Sequence, residues 1–459
     1  MTFTTSTSET ERRVGEDARI GARHSVRHFF ADFRKLEGYF PHEYPRMIVR
    51  GEGAHVWDSD GRKLLDAGGH LGACAIGHGR REMADRIAAQ VVELEYIGLD
   101  SGISHPKAIE LADVLRGLVP VEDPIFSFPT SGSEANELAF KIARAYHSRR
   151  GDEGRTIVLS RDGSYHGSTY GAMSATGAPA FRAGYGPVVP GFQQVAQPSP
   201  GRCGYCEPSE GCTLRCADAL ESAIEEIGSD RIAAVIGEPV SILQAVKVPH
   251  ADYWPRVEST CRANGVLLIL DEVVTGFGRT GRMFGAEHWN VQPDILTMAK
   301  GITSGYVPLG AVATSRHVEE AFSEPLLHVN TYSGHPLACE AALANLEIFE
   351  RERLVDRAAE LEPLLRSGLD ALAARNGRVV RVTAIGLLSS IELSADGIED
   401  VEEAVLRVRH AMYENGVIAR SSHANGIVTV VFYPALVVSA DDLERGVVAV
   451  GDAVESVLA

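Results

Sequence analysis

Between residues 150 and 300 of this 459-residue chain, short apolar runs take turns with stretches of helical spacing, and no other feature constrains the fold as much. The runs are Thr156–Ser160, Ala233–Glu238, Val266–Asp271 and Ile295–Ala299, and helical spacing covers Cys216–Ile227 and Tyr253–Asn264. A strand apolar at every position has both faces buried, and strands that alternate with helices pair in parallel. The expectation is an α/β fold in which a large domain carries a mostly parallel sheet covered by helices. Ligands of such sheets bind at the carboxyl ends of the strands. Here those ends are charged: Ala233–Ile236 runs into Glu238, Val266–Leu270 into Asp271 and Glu272, and Ile295–Ala299 into Lys300.

Outside this region the pattern changes. Residues 1–30 are polar, then basic and aromatic, and read as a loose arm. Gly53–Asp66 reads as a hairpin turning at Asp58–Gly61. After Gly334 a long helical pattern, Leu337–Leu372, leads into strands at Val379–Ile385 and Leu388–Leu393 and a helix at Val401–Asn415. Strands near Val417–Arg420 and Ile427–Phe432 and a last helix, Asp441–Leu458, complete the chain. The expected division is the arm (1–30), an N-terminal segment of a small domain (31–75), a large domain (76–335) and the rest of an α+β small domain (336–459). A net charge of −18 argues against nucleic acid or an anionic membrane as partner, since both need a basic surface. With no apolar run near the roughly 20 residues that span a bilayer, a soluble cytoplasmic protein is expected.

The chain has only six lysines, and Lys300 directly follows a buried-type strand. An amine is costly to bury unless it is paired or used, and burial that lowers its pKa makes it a Schiff-base nucleophile. Ser131-Gly132-Ser133 opens a helical stretch, where unpaired backbone amides at the positive end of the helix dipole suit a phosphate. Together with a carboxylate at a strand end, these residues suggest a phosphate-bearing aldehyde with a ring nitrogen, pyridoxal 5′-phosphate (PLP).

The run Asp271-Glu272-Val273-Val274-Thr275-Gly276-Phe277-Gly278-Arg279-Thr280-Gly281, with Lys300 downstream, resembles the class III (ω-type) aminotransferases, PLP enzymes of fold type I. The resemblance extends to Ser131–Arg144, Ser164–Gly177, Glu238-Pro239-Val240, Met298–Val312 and Asn330–Leu343, in the family's order. It implies that Lys300 holds PLP and shuttles the proton at the substrate Cα, and that Asp271 pairs with the pyridine nitrogen. It implies further that Ser131, Gly132 and Ser133 meet the phosphate, and that Tyr165 and Val273 cover the two ring faces. His166 lies beside Tyr165 in the family's aromatic-His-Gly element, and Glu238 matches the family acid at its strand end. Thr331 matches a residue that reaches the phosphate of the neighbouring subunit, which implies a homodimer with shared sites. Arg420 aligns with an Arg that binds a substrate carboxylate in several members.

Two departures stand out. At the pocket entrance, Gly69-His70-Leu71 replaces the family's Gly-Leu-Trp, and Ser241-Ile242-Leu243-Gln244 replaces a Gln-Gly-rich turn. His70 and Leu71 therefore become substrate-pocket candidates, with space for a bulky amine such as an amino sugar. Four cysteines, Cys203, Cys206, Cys212 and Cys216, fall in one insertion (201–216). They are readable either as a thiolate zinc site or as reduced residues that shape a loop. The resulting expectation is ping-pong transamination from an amine or amino-acid donor to an oxo acceptor. A PLP-dependent isomerase or epimerase and a non-catalytic PLP-fold binding protein are the alternatives.

Overall fold

A computed structural model describes residues 47–458 except 101, 200–210 and 244. The expected arm, Gln244, Cys203 and Cys206 lie outside the described residues.

The described chain opens with β1 (Ile48–Glu52), β2 (His55–Asp58) and β3 (Lys63–Asp66). β2 and β3 are the expected hairpin, with Val56 opposite Leu64. Asp58 Oδ1 closes its turn by accepting from the Asp60 and Arg62 amides at 2.9 and 2.8 Å. Two helices, α1 (Arg81–Glu93) and α2 (Pro106–Arg116), lead to β4 (Ile125–Ser127) and α3 (Gly132–Arg149).

Then come β5 (Ile157–Arg161), α4 (Tyr170–Ala175), β6 (Phe192–Val195), α5 (Arg215–Ile227), β7 (Ile232–Gly237) and α6 (Tyr253–Ala263). β8 (Leu267–Asp271), β9 (Ile295–Met298) and β10 (Ala311–Thr314) follow. These strands form a seven-stranded sheet in the order β4-β10-β9-β8-β7-β5-β6, in which β10 alone runs against its neighbours. Alternate residues of one strand feed opposite layers. Val158, Ala234, Ile236 and Ile269 pack with Leu138 and Ile142 of α3. Leu159, Val235, Leu268 and Leu270 pack with Leu220 of α5 and Trp254 of α6. Period-two burial on both faces is the reason these strands read as unbroken apolar runs.

The expected helix Leu337–Leu372 is two helices, α7 (Pro336–Arg351) and α8 (Leu354–Arg375). The break falls at Arg353, whose φ of +50° is left-handed. Apolar spacing continues across it, so the pattern alone hides the break. β11 (Val379–Ile385), β12 (Leu388–Ser394) and α9 (Val401–Glu414) match expectation to within a residue. The expected strand Val417–Arg420 is divided between two sheets. β13 (Val417–Ile418) pairs in parallel with β3, Ile418 beside Asp66. β14 (Arg420–Ala424) pairs with β15 (Ile427–Phe432) in an antiparallel sheet ordered β11-β12-β15-β14. A final helix, α10 (Ala440–Leu458), packs into the core shared with α8 and α9. Among the described residues no helix is long and apolar enough to cross a membrane.

Candidate active site

β7, β8 and β9 are adjacent and in register, with Gly237 beside Leu270 and Asp271 beside Thr297. Their carboxyl ends therefore bring Glu238, Asp271 and Lys300 to one edge of the sheet. Asp271 is buried. Its Oδ2 accepts from Asn136 Nδ2 at 2.8 Å and lies 2.8 Å from His166 Nδ1, and its Oδ1 accepts from the Val273 amide at 3.1 Å. Lys300 sits just past β9 with a left-handed φ of +45°, a strained conformation for a residue with a side chain. Burial lowers the pKa of its amine to about 8, against the opposing pull of Asp271, while Arg420 and Arg279 add to the lowering. Lys247 is the other lysine whose pKa burial lowers. Glu238 and Glu392 face it, and it lies in the short bridge of Ser241 with Lys247.

The amino end of α3 meets this edge. Ser131 Oγ caps the helix by accepting from the Glu134 amide at 3.2 Å, which leaves the first-turn amides of Gly132 and Ser133 free of helical partners. A Cβ on Gly132 would lie 3.0 Å from both methyls of Val273, so any larger residue would have to push that side chain back. Ser133 Oγ accepts from the Ser168 amide at 3.1 Å, tying the helix start to the loop that carries Tyr165 and His166. Tyr165 stands edge-on to Phe181, with ring centroids 5.1 Å apart, and its hydroxyl lies 2.9 Å from Ser168 Oγ. Glu238 is held by Arg161 Nη2 at 3.1 Å, and its Oε1 accepts from the Tyr165 amide and Ser241 Oγ, both at 3.3 Å.

A half-buried lysine, a paired carboxylate and a glycine-opened helix thus converge on one sheet edge, and the wider comparison agrees. The aminotransferase class-III family matches residues 39–454. The chain belongs to the class-III aminotransferases. It is 43% identical over 361 residues, 77% of this chain and 78% of the other, to an uncharacterised aminotransferase of Bacillus subtilis. It is 32% identical to the putrescine–pyruvate aminotransferase of Pseudomonas aeruginosa, over 91% of each chain. Its fold superimposes with a TM-score of 0.89 on an (S)-enantioselective ω-transaminase from Thermomicrobium roseum, at 39% identity over 96% of this chain and 99% of that one. The aminotransferase is thus a PLP-dependent enzyme with a fold of the expected type. The residues present suit that cofactor: the Gly132 approach and free α3 amides suit a phosphate, the Lys300 amine an aldehyde and Asp271 a protonated ring nitrogen.

Other expected residues lie further out in this aminotransferase. Arg420, at the start of β14, lies beside the buried Tyr433, and no ion pair joins it to a carboxylate among the described residues. Thr331 is exposed on the protomer surface, its carbonyl accepting from Tyr96 Oη at 2.5 Å. Leu71 is exposed, and His70 turns towards Asp66, with Nε2 3.7 Å from Oδ2. Neither is bonded to Lys300 or Arg420 among the described residues. Of the insertion cysteines described, Cys212 is exposed and Cys216 is buried on α5.

Residue reading passed over Asn136, although it lies inside the quoted helical run. It bridges Asp271 Oδ2, the His166 carbonyl at 2.6 Å and Thr297 Oγ1 at 2.8 Å. The available signal was a lone amide on the helix face that carries Ala135, Leu138 and Ala139 into the core. Arg279 was also missed as a structural element. It is fully buried, donates to the Leu387 and Pro434 carbonyls, and is pushed down to about 10 by burial.

Proposed function

We propose that this enzyme moves an amino group by a ping-pong mechanism from an ω-amine donor to a small 2-oxo acid. The observation that carries the reading is the pairing of two groups: the Lys300 amine, whose pKa burial lowers to about 8, and Arg420, whose charge reaches it and which has no carboxylate partner among the described residues. PLP supplies an aldehyde that condenses with amines and a ring that takes up the electron pair released at Cα. Lys300 Nζ, which burial makes available as a free base, moves the proton at Cα. Asp271, oriented by Asn136 and His166, keeps the ring nitrogen protonated. Gly132 and Ser133 amides, with Ser131 as their cap, hold the phosphate. Tyr165 and Val273 bound the ring faces, His166 backs Asp271, and Glu238 fixes the Tyr165 loop.

Arg420 offers a guanidinium to the oxo-acid carboxylate, a bidentate match. The same residue swings away to admit the donor's uncharged or cationic far end, in line with the putrescine and pyruvate named for the Pseudomonas aeruginosa relative. His70 and Leu71 border the entrance, and Thr331 completes the phosphate site of the second subunit of a homodimer.

The test follows the visible absorbance of the holoenzyme as single amines are added without acceptor: putrescine, β-alanine, taurine, glutamate and an amino sugar. The expected result is loss of the Lys300-bound cofactor band, fastest with an ω-amine, and its return on adding pyruvate. Lys300→Ala should show neither. Deuterium entering recovered amine while the band persists and no oxo acid is consumed would assign an isomerase instead.

A further inference from the structure

Beyond the cofactor site, Asp66, His70, Cys74 and His78 recur every fourth residue and are brought together at one end of β3. The chain between them makes this possible: Gly69, His70, Leu71 and Gly72 all have left-handed backbones, with φ of +47°, +44°, +63° and +76°. The resulting turn folds His70 and Cys74 back over Asp66. Asp66 Oδ2 lies 3.0 Å from His78 Nε2 and 3.7 Å from His70 Nε2. One ligand atom each of Asp66, Cys74 and His78 fall within 4.8 Å of one another. The two imidazoles stand nearly perpendicular, with centroids 5.7 Å apart. Asp66 Oδ1 is buried and has no hydrogen-bond partner. A buried carboxylate oxygen left unpaired is expensive, and a cation satisfies it.

The geometry points to a zinc-type divalent metal site formed by Asp66, His70, Cys74 and His78 at the foot of the pocket wall. Tetrahedral zinc, with bonds of about 2.0–2.3 Å, sets its ligands about 3.3–3.7 Å apart. The two distances from Asp66 already bracket that range; among Asp66, Cys74 and His78 the widest pair must close by about 1 Å, and His70, which is bonded to the group only through Asp66, must swing in further from its exposed position. Two imidazoles, a thiolate and a carboxylate form a borderline donor set that suits zinc over the oxygen-seeking magnesium or calcium. Thiolate and carboxylate together neutralise a divalent ion, so Arg279, whose Nη2 donates to the Cys74 carbonyl at 3.5 Å, meets no net positive charge. The metal would pin a turn whose Gly69 and Gly72 rest on Tyr433, which lies beside Arg420. Its role is to stiffen the pocket wall, not to react.

The test uses tag-free, full-length holoenzyme, stripped with a chelator and dialysed against Zn²⁺ or Co²⁺. The expected result is one metal per chain by elemental analysis. The cobalt form should show tetrahedral bands and a sulfur-to-cobalt charge-transfer band. That band should vanish in Cys74→Ser and persist in a Cys203→Ser/Cys206→Ser/Cys212→Ser variant. His70→Ala, on a half-exposed turn that tolerates truncation, should bind at least about 10-fold more weakly. Failure to retain metal, a charge-transfer band that follows the insertion cysteines, or unchanged affinity in His70→Ala would each overturn the site. The last still decides the matter if Cys74→Ser does not fold.

Discussion

Two side chains at the sheet edge show how chemistry is set by surroundings. Lys300 owes its lowered pKa mainly to burial, so its neutral, nucleophilic form grows as pH rises through about 8. Capture of PLP by the apoenzyme should therefore accelerate with pH up to a plateau with a midpoint near 8, measured by stopped-flow absorbance. A midpoint near the ordinary lysine value would show that the amine is not desolvated. The sign also holds for stability: a lysine whose folded pKa is depressed binds fewer protons folded than unfolded, so its contribution improves as pH rises through that window. Asn136 acts through Asp271. Asn136→Ala removes one donor from a buried carboxylate and strands Thr297 Oγ1, a loss of about 1–3 kcal/mol in holoenzyme stability. If Asn136 orients Asp271, kcat should also fall while KM for the donor holds. A lower melting temperature with kcat intact would leave it a purely structural residue.

Among the secondary-structure elements, the β11–β12 hairpin is seated against the loop that follows β8. Its turn residue Gly386 has φ of +53°, and a Cβ there would lie 2.3 Å from the Thr280 carbonyl carbon and 2.4 Å from the Gly281 nitrogen. Gly386→Ala should lower stability by about 3 kcal/mol or more, since neither a left-handed alanine nor a shift of two backbones is cheap. Thermal melting checks this, and a change within about 0.5 kcal/mol would mean the hairpin can lift away freely. The same contact shows what residue patterns can and cannot reveal. The strands that bear Glu238, Asp271 and Lys300 are legible because burial on both faces leaves unbroken apolar runs that end abruptly in charge. β4 and β10, with three and four residues, are too short to carry a period, and β13 and β14 look like one strand because the chain changes sheets at a single residue, Ala419. Contacts such as Asn136 with Asp271 join positions 135 residues apart, which no local spacing encodes.

For the molecule as a whole, the place of Thr331 decides whether one chain or two build the site. The loop beyond β10 exposes Leu327, Val329 and Tyr332, at 91%, 84% and 58% of their surface, around Thr331, which is also exposed. Apolar side chains gathered on one exposed loop are what a subunit interface covers. Yet the loop is also tied to its own chain, because Asn330 Nδ2 donates to Glu134 Oε1 at 2.8 Å, at the start of α3. Thr331 is proposed to serve the neighbour's phosphate site, and subunit mixing tests that assignment against its own chain's site. In the proposed dimer, Lys300→Ala chains would lack the amine at both sites, and Thr331→Glu chains would set a carboxylate against both phosphates. If Thr331 serves the neighbour, each mixed dimer regains one intact site, from the Lys300 of one chain and the Thr331 of the other. Random reassortment then restores roughly a quarter of wild-type sites, well above either parent. If Thr331 serves its own chain, every site in the mixed dimer stays defective, and the mixture gives only the average of its parents. Size-exclusion profiles matched to wild type would show that both variants still assemble, so that activity alone reports which chain owns the residue.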